Sequence, residues 1–212
     1  MKVAQRRERE IAHTRNDILE AAITAFGRSG LHGTTMQDIA KEAGYTAASL
    51  YTYFKSKQEI VDATVSYLTD EYCKVFDVPI PTGLTFRQRF DIVLHRQLEI
   101  IERRQNVFAG FLNEQANQSI CATDPASRSF HENFERRISR LAQWLKDNAS
   151  PEEIGGHDPE LLARLSFGMA FGLLHQWGPG QRDLELGDFA ANFTEFFFHG
   201  ISGKTKTGAR KK

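Results

Sequence analysis

The sequence predicts an all-α protein, with an N-terminal three-helix helix-turn-helix domain followed by a larger C-terminal helical body. Three observations predict it. Apolar side chains recur at i, i+4 and i+7 or i+8 in the long segments, which is the period of one helix face. Two short segments of this kind flank Gly44, where a residue without a Cβ suits the left-handed backbone that ends a helix. Pro- and Gly-containing runs at 79–83, 123–127 and 150–159 separate the remaining segments.

The opening MKVAQRRERE sets Lys2, Arg6, Arg7 and Arg9 against Glu8 and Glu10. Three readings stand open: it extends the first helix, reaches a nucleic-acid groove as basic arms do, or is a solvated terminus. The first helix is expected from Thr14 to Ser29, with Ile18, Ala22 and Phe26 on one face and Gly30 as its stop. Thr35 caps the second helix, and Asp38 three residues on completes a capping box. Ile39, Ala40 and Ala43 form that helix's apolar stripe. Thr46 caps the third, whose buried face is Leu50 and Phe54. A fourth helix begins near Lys57 and carries Ile60, Ala63, Thr64 and Tyr67.

The body follows PIPTG at 79–83. A helix over 85–104 presents Phe86, Phe90, Val93, Leu94, Gln97 and Ile101, and a shorter one over 106–119 presents Phe108, Phe111 and Leu112. Phe130, Phe134, Ile138, Leu141 and Leu145 mark a helix over 126–148, and SPEEIGGHDP is a loop. The segment from Pro159 to Trp177 is apolar nearly all round, so one face packs on its own body and the other requires a partner. Gly168 and Gly172 would let a second helix approach closely. The last helix, 186–200, carries Phe189, Phe193, Phe196 and Phe197. The tail GKTKTGARKK is basic and without pattern; it adds phosphate attraction or is a disordered solubility segment.

Formal charge is zero over 212 residues but unevenly spread: +2 in residues 1–60, −7 in 61–200 and +5 in 201–212. A neutral total does not itself mark a nucleic-acid binder. Cys73 and Cys121 fit no metal or redox spacing, and such usage suits a reducing cytoplasm. No stretch reaches the roughly 18 apolar residues of a membrane span, and the N-terminus does not read as a signal peptide, so no membrane partner is expected. Enzyme motifs are missing: no G-x-S-x-G, dinucleotide fingerprint, P-loop or H-E-x-x-H. The seven His are scattered, so neither a metal nor a cofactor is expected.

The third helix points to DNA. Ala47, Ala48, Ser49, Thr52 and Tyr53 are small, hydroxylated or aromatic, with no acidic residue between Gly44 and Gln58 and with Lys55 and Lys57 just beyond. An ordinary αα-hairpin that packs a core is the plain alternative.

The segment ILEAAITAFGRSGLHGTTMQDIAKEAGYTAASLYTYFKSKQEI resembles the DNA-binding domain of the tetracycline-repressor (TetR) family of transcriptional regulators. Ile18, Leu19, Ala21, Ala22, Phe26, Gly30, Thr34, Thr35, Ile39, Ala40, Ala43, Gly44, Leu50, Tyr51, Tyr53, Phe54 and Lys57 carry the likeness, in order and spacing. Tyr45 departs from it, where Val is commoner. The likeness covers roughly the first 65 residues. It implies a DNA-binding domain over 1–60, an effector-binding and dimerisation domain over 61–203 and a basic tail over 204–212. It further implies a homodimer that represses transcription from a palindromic double-stranded operator and is released by a small hydrophobic or aromatic effector. A ligand-independent architectural protein of the same fold is the alternative.

On residues, Thr35, Gln37, Thr46, Lys55 and Lys57 are expected to hold phosphates or a groove edge. Ala47, Ala48, Ser49, Tyr51 and Tyr53 match family positions that contact DNA. The small Ala side chains suit thymine methyls. Most of the 16 Phe lie from Phe76 on. Phe90, Phe111, Phe134, Trp144 and Trp177 are candidates to line the effector cavity, with His95, Gln97, Gln115, His131 and Asn133 as polar contacts; plain core packing is the competing reading for each. Phe167, Phe171, Leu174, Phe189, Phe193 and Phe196 are the expected dimer interface.

Overall fold

The computed structural model describes residues 2–108, 125–174 and 186–201, with side chains over 5–108, 128–170 and 188–200. Every long element among them is a helix. Phe111, Gln115, Trp177, the side chains of Phe171 and Leu174, and the tail 204–212 lie outside the described residues.

Helix α1 spans Lys2–Gly33, so it starts well before the expected Thr14. The arm is helical because nothing in it breaks a helix, and paired charges one turn apart support it. Arg6 pairs with Glu10 at 2.8 Å and His13 with Asp17 at 2.9 Å. The regular helix stops at Gly30 as expected, where the backbone turns to φ 71° and ψ 168°, and a short helical run to Gly33 follows the kink. The hydroxyl of Thr34 closes the break by donating to the Gly30 carbonyl at 2.7 Å.

Helix α2 is Met36–Glu42 and α3 is Ala47–Tyr53. The Thr35–Asp38 capping box is formed: the Thr35 hydroxyl accepts from the Asp38 amide, and the Asp38 carboxylate accepts from the Thr35 amide. At the other end Gly44, at φ 73°, closes a Schellman motif. Its amide donates to Lys41 at 3.2 Å, and that of Tyr45 donates to Ala40 at 2.8 Å. Thr46 then caps α3 by accepting from the Ser49 amide at 3.1 Å. Helix α4, Lys57–Lys74, follows a short turn.

A 3-10 turn at Val75–Asp77 and the Pro-rich loop lead to α5, Phe86–Arg103. The remaining long helices are α6, Pro125–Asn148, α7, Pro159–Leu174, and α8, Leu186–Ile201. Pro159 opens α7 at the position where a missing amide proton costs nothing.

The chain forms two compact units, each built from two segments. The first combines residues 1–74 with 99–137. Its core joins Ile18, Ala22, Phe26, Ile39, Leu50, Phe54 and Ile60, all nearly inaccessible, with Val107 and Phe130 from the later segment. The unit that holds the helix-turn-helix thus extends beyond residue 60. The second unit combines 75–98 with 138–212, and an aromatic core fills its described part. Phe90 stacks on Phe197 with centroids 4.6 Å apart, and Phe86, Trp144 and Phe198 meet these rings edge-on or tilted.

Candidate nucleic-acid interface

The anchored face of α3 is Leu50, continued by Phe54 just past its end; both are fully buried. The helical period therefore turns Ala48, Tyr51 and Thr52 outward, leaves Ala47, Ser49 and Tyr53 half-buried, and exposes Thr46. Tyr51 is 53% exposed, unusual for so large a ring. Tyr45 packs beside Tyr53 with centroids 6.4 Å apart, so the departure at Tyr45 buttresses the recognition helix. Gln37 and Lys55 are exposed.

Besides Thr46, which caps α3, two expected phosphate ligands have internal partners. The Thr35 hydroxyl donates to the Asp38 carboxylate at 2.6 Å, and these bonds hold that carboxyl below its usual range. Lys57 is half-buried, and its ammonium donates to the carbonyls of Leu31 at 3.0 Å and Thr34 at 3.1 Å. Those carbonyls are left over where α1 ends, so a cation there does what a helix C-terminus asks of it. We correct the expectation for Lys57 accordingly: its charge is used to fasten α4 to the end of α1.

Sequence reasoning missed Arg15. It lies on α1, and its guanidinium sits 4.0 Å over the Phe54 ring while donating to the Tyr53 carbonyl. It also reaches the Glu59 carboxylate at 3.6 Å. One side chain thus fixes the C-terminal end of the recognition helix from 38 residues away. No local spacing signals such a contact.

The effector candidates divide between the units. In the second unit, Phe90 is buried in the aromatic core, which corrects its expected role as lining of an open cavity, whereas Trp144 packs in the same core and also lines a cavity beside the loop at 79–83. His95 is exposed, its Nδ1 2.8 Å from the Asp91 carbonyl, so it is corrected from cavity contact to surface. Gln97 is buried, and its Nε2 has no hydrogen-bond partner among the described residues. In the first unit, His131 is exposed and Phe134 half-buried, while buried Asn133 donates to the Ser129 carbonyl at 2.9 Å.

The interface candidates also separate. Phe189 and Phe193 are 4% exposed and stack in their own unit's core, so the expectation that they face a partner is corrected. Phe196 stands out at 78% exposure, with Leu161 at 48% and Leu165 at 55%, and Phe167 is half-buried. Among the described residues, no helix is long and apolar enough to cross a membrane.

A model of bacterial regulatory proteins of the tetR family matches residues 18–64, the segment that holds α2, α3 and their supports. The HTH-type transcriptional repressor KstR2 of Rhodococcus jostii is 26% identical over 170 residues, 78% of this chain and 80% of that protein. The structure of FadR from Bacillus subtilis in complex with stearoyl-CoA superposes with a TM-score of 0.71 at 20% identity, over 87% of this chain and 98% of that one. AibR in complex with isovaleryl coenzyme A and operator DNA gives 0.62, also at 20% identity and with the same coverage. Capped short helices around a Schellman turn, with an outward face free of acidic side chains, define a helix-turn-helix transcriptional regulator. Over residues 18–64 the chain carries the DNA-binding segment of the tetR family, and beyond it the chain is similar to regulators of that kind.

Proposed function

We propose that the protein is a dimeric repressor that binds a palindromic operator and leaves it when a hydrophobic effector occupies the helical body. The observation that carries this reading is the outer face of α3: Ala48, Tyr51 and Thr52 exposed, no carboxylate among them, and Lys55 beyond. In a major groove, small side chains at Ala47 and Ala48 would meet thymine methyls, and Lys55 would meet phosphate. Thr35 and Thr46 stand at the N-termini of α2 and α3, where the unpaired amides also favour phosphate.

The exposed apolar residues Leu161, Leu165 and Phe196 support a two-fold partner. A twin half-site requires one, because half-sites lie about one helical turn apart. For the effector, the likeness to FadR and AibR, each solved with an acyl-CoA, favours a CoA thioester. The buried Nε2 of Gln97, unpartnered among the described residues, supports a ligand in the body, since such donors are nearly always satisfied. Release would follow by population shift, the effector binding better to a form that misfits the operator.

One observation favours the ligand-independent alternative: the aromatic core around Phe90 and Trp144 is filled by its own side chains. Selection from random duplex DNA, repeated with long- and short-chain acyl-CoA, tests both readings. A palindromic consensus lost on adding one thioester supports the repressor. A consensus indifferent to every thioester supports the architectural protein, and no enrichment rejects both.

A further inference from the structure

We propose a binding site for a small organic anion, a carboxylate on an apolar body, between the loop before α5 and the end of α6. A cavity of about 290 Å³ opens there, walled by Phe76, Pro79, Ile80, Pro81, Leu84 and Trp144. Its size suits a ligand of about ten non-hydrogen atoms, near the lower end of ligand pockets.

The charge in this cavity is unbalanced. Arg89 lines it, and among the described residues its guanidinium makes one hydrogen bond, from Nη2 to the Asn148 carbonyl at 2.6 Å. Among the described residues its Nε is buried without a hydrogen-bond partner and no carboxylate pairs with the guanidinium. An arginine offers five donors in a planar fork, and a half-buried one normally meets a carboxylate. The cavity's own acid cannot serve, because Asp77 is held by Arg140 at 2.5 Å. The loop wall is fixed rather than collapsed onto Arg89: the Arg96 guanidinium draws the carbonyls of Val78 and Pro79 toward itself at 3.0 and 3.1 Å. A bound carboxylate would pair with the guanidinium where Arg89 lines the cavity, while its apolar body lies against the prolines and Trp144.

The test needs neither DNA nor the acyl-CoA reading. The full chain is labelled with 5-fluorotryptophan, and its Trp144 resonance is assigned with Trp144→Phe. Phenylacetate and its neutral twin phenylacetamide are then titrated. The Trp144 signal is expected to move saturably with the acid at roughly millimolar concentration, and the amide to bind about tenfold more weakly. Arg89→Gln should abolish the preference for the acid. Because Arg89 also braces Asn148, Ile80→Glu serves as the second variant: it keeps Arg89 and supplies an internal carboxylate. It should remove the acid response without lowering the thermal midpoint. Equal affinity for acid and amide, an acid response that survives Ile80→Glu, or no saturable shift overturns the proposal.

Discussion

Arg104 holds Glu20 with both arms of its guanidinium, Nη1 to Oε2 at 2.7 Å and Nη2 to Oε1 at 2.8 Å. Glu20 lies on α1 and Arg104 just past α5. Glu71 of α4 shares the same cation at 3.3 Å, and the Tyr67 hydroxyl donates to Glu20 at 2.8 Å. One guanidinium therefore joins three stretches of the first unit. The Arg104 bond holds the Glu20 carboxyl below its usual range, while burial and the bond to Glu20 push Tyr67 up to about 12.

Arg104→Met keeps an unbranched apolar stem and removes the guanidinium and its charge. It should lower stability by about 1–2 kcal/mol at neutral pH, a figure discounted for the partial exposure of Glu20. Glu20 has a depressed pKa in the fold, so its contribution is full above the unfolded value and fades as pH falls through the folded one. The gap between wild type and variant should therefore narrow in acid. Urea unfolding at neutral and acidic pH checks this; a gap that widens in acid would contradict it.

Lys57 and Lys55 should behave differently. Lys57→Met strands two carbonyls at the end of α1, which should cost about 1–3 kcal/mol of stability, and operator affinity should fall with no change in its salt dependence. Lys55→Ala should leave stability alone and reduce the salt slope by about one. Thermal melts and a salt titration of operator binding separate the two.

Arg15→Met retains the apolar stem over Phe54 but loses the cation and the bond to Tyr53. We expect a stability loss of about 1–2 kcal/mol and weaker operator binding, since the end of α3 is released. A variant that binds its operator normally would show that Arg15 braces nothing DNA senses.

Phe196 and Phe193 test where the aromatic stripe of α8 points. Phe193→Ala empties a buried, stacked position and should cost about 3–5 kcal/mol. Phe196→Glu should leave the protomer folded and convert the proposed dimer to monomer in sedimentation, with loss of operator binding. A stable Phe196→Glu dimer would remove this side chain from the interface.

The fold was legible where its causes are local. The Thr35–Asp38 box, the Gly44 turn and the helical period are each written within a few residues, and those elements form as expected. The period failed where it had to say what covers a face. Phe189, Phe193 and Phe196 read as one stripe, yet Phe193 stacks between Phe189 and Phe90 while Phe196 meets solvent. Likewise a motif lysine reads as a phosphate ligand until the interruption at Gly30 is seen to leave carbonyls beside it. Arg15 and Arg104 act across long separations, and no spacing rule reaches that far.

The core shared by Ile18, Phe26 and Leu50 with Val107 and Phe130 has a consequence for synthesis on the ribosome. The helix-turn-helix is translated before its packing partners Val107 and Phe130. Until Phe130 has left the exit tunnel, the nascent head exposes apolar surface and depends on chaperones or on delay. A fragment cut after α4 should therefore be a poorer folder than its tidy motif suggests, and the reading head should become competent only once the middle of the chain has been made.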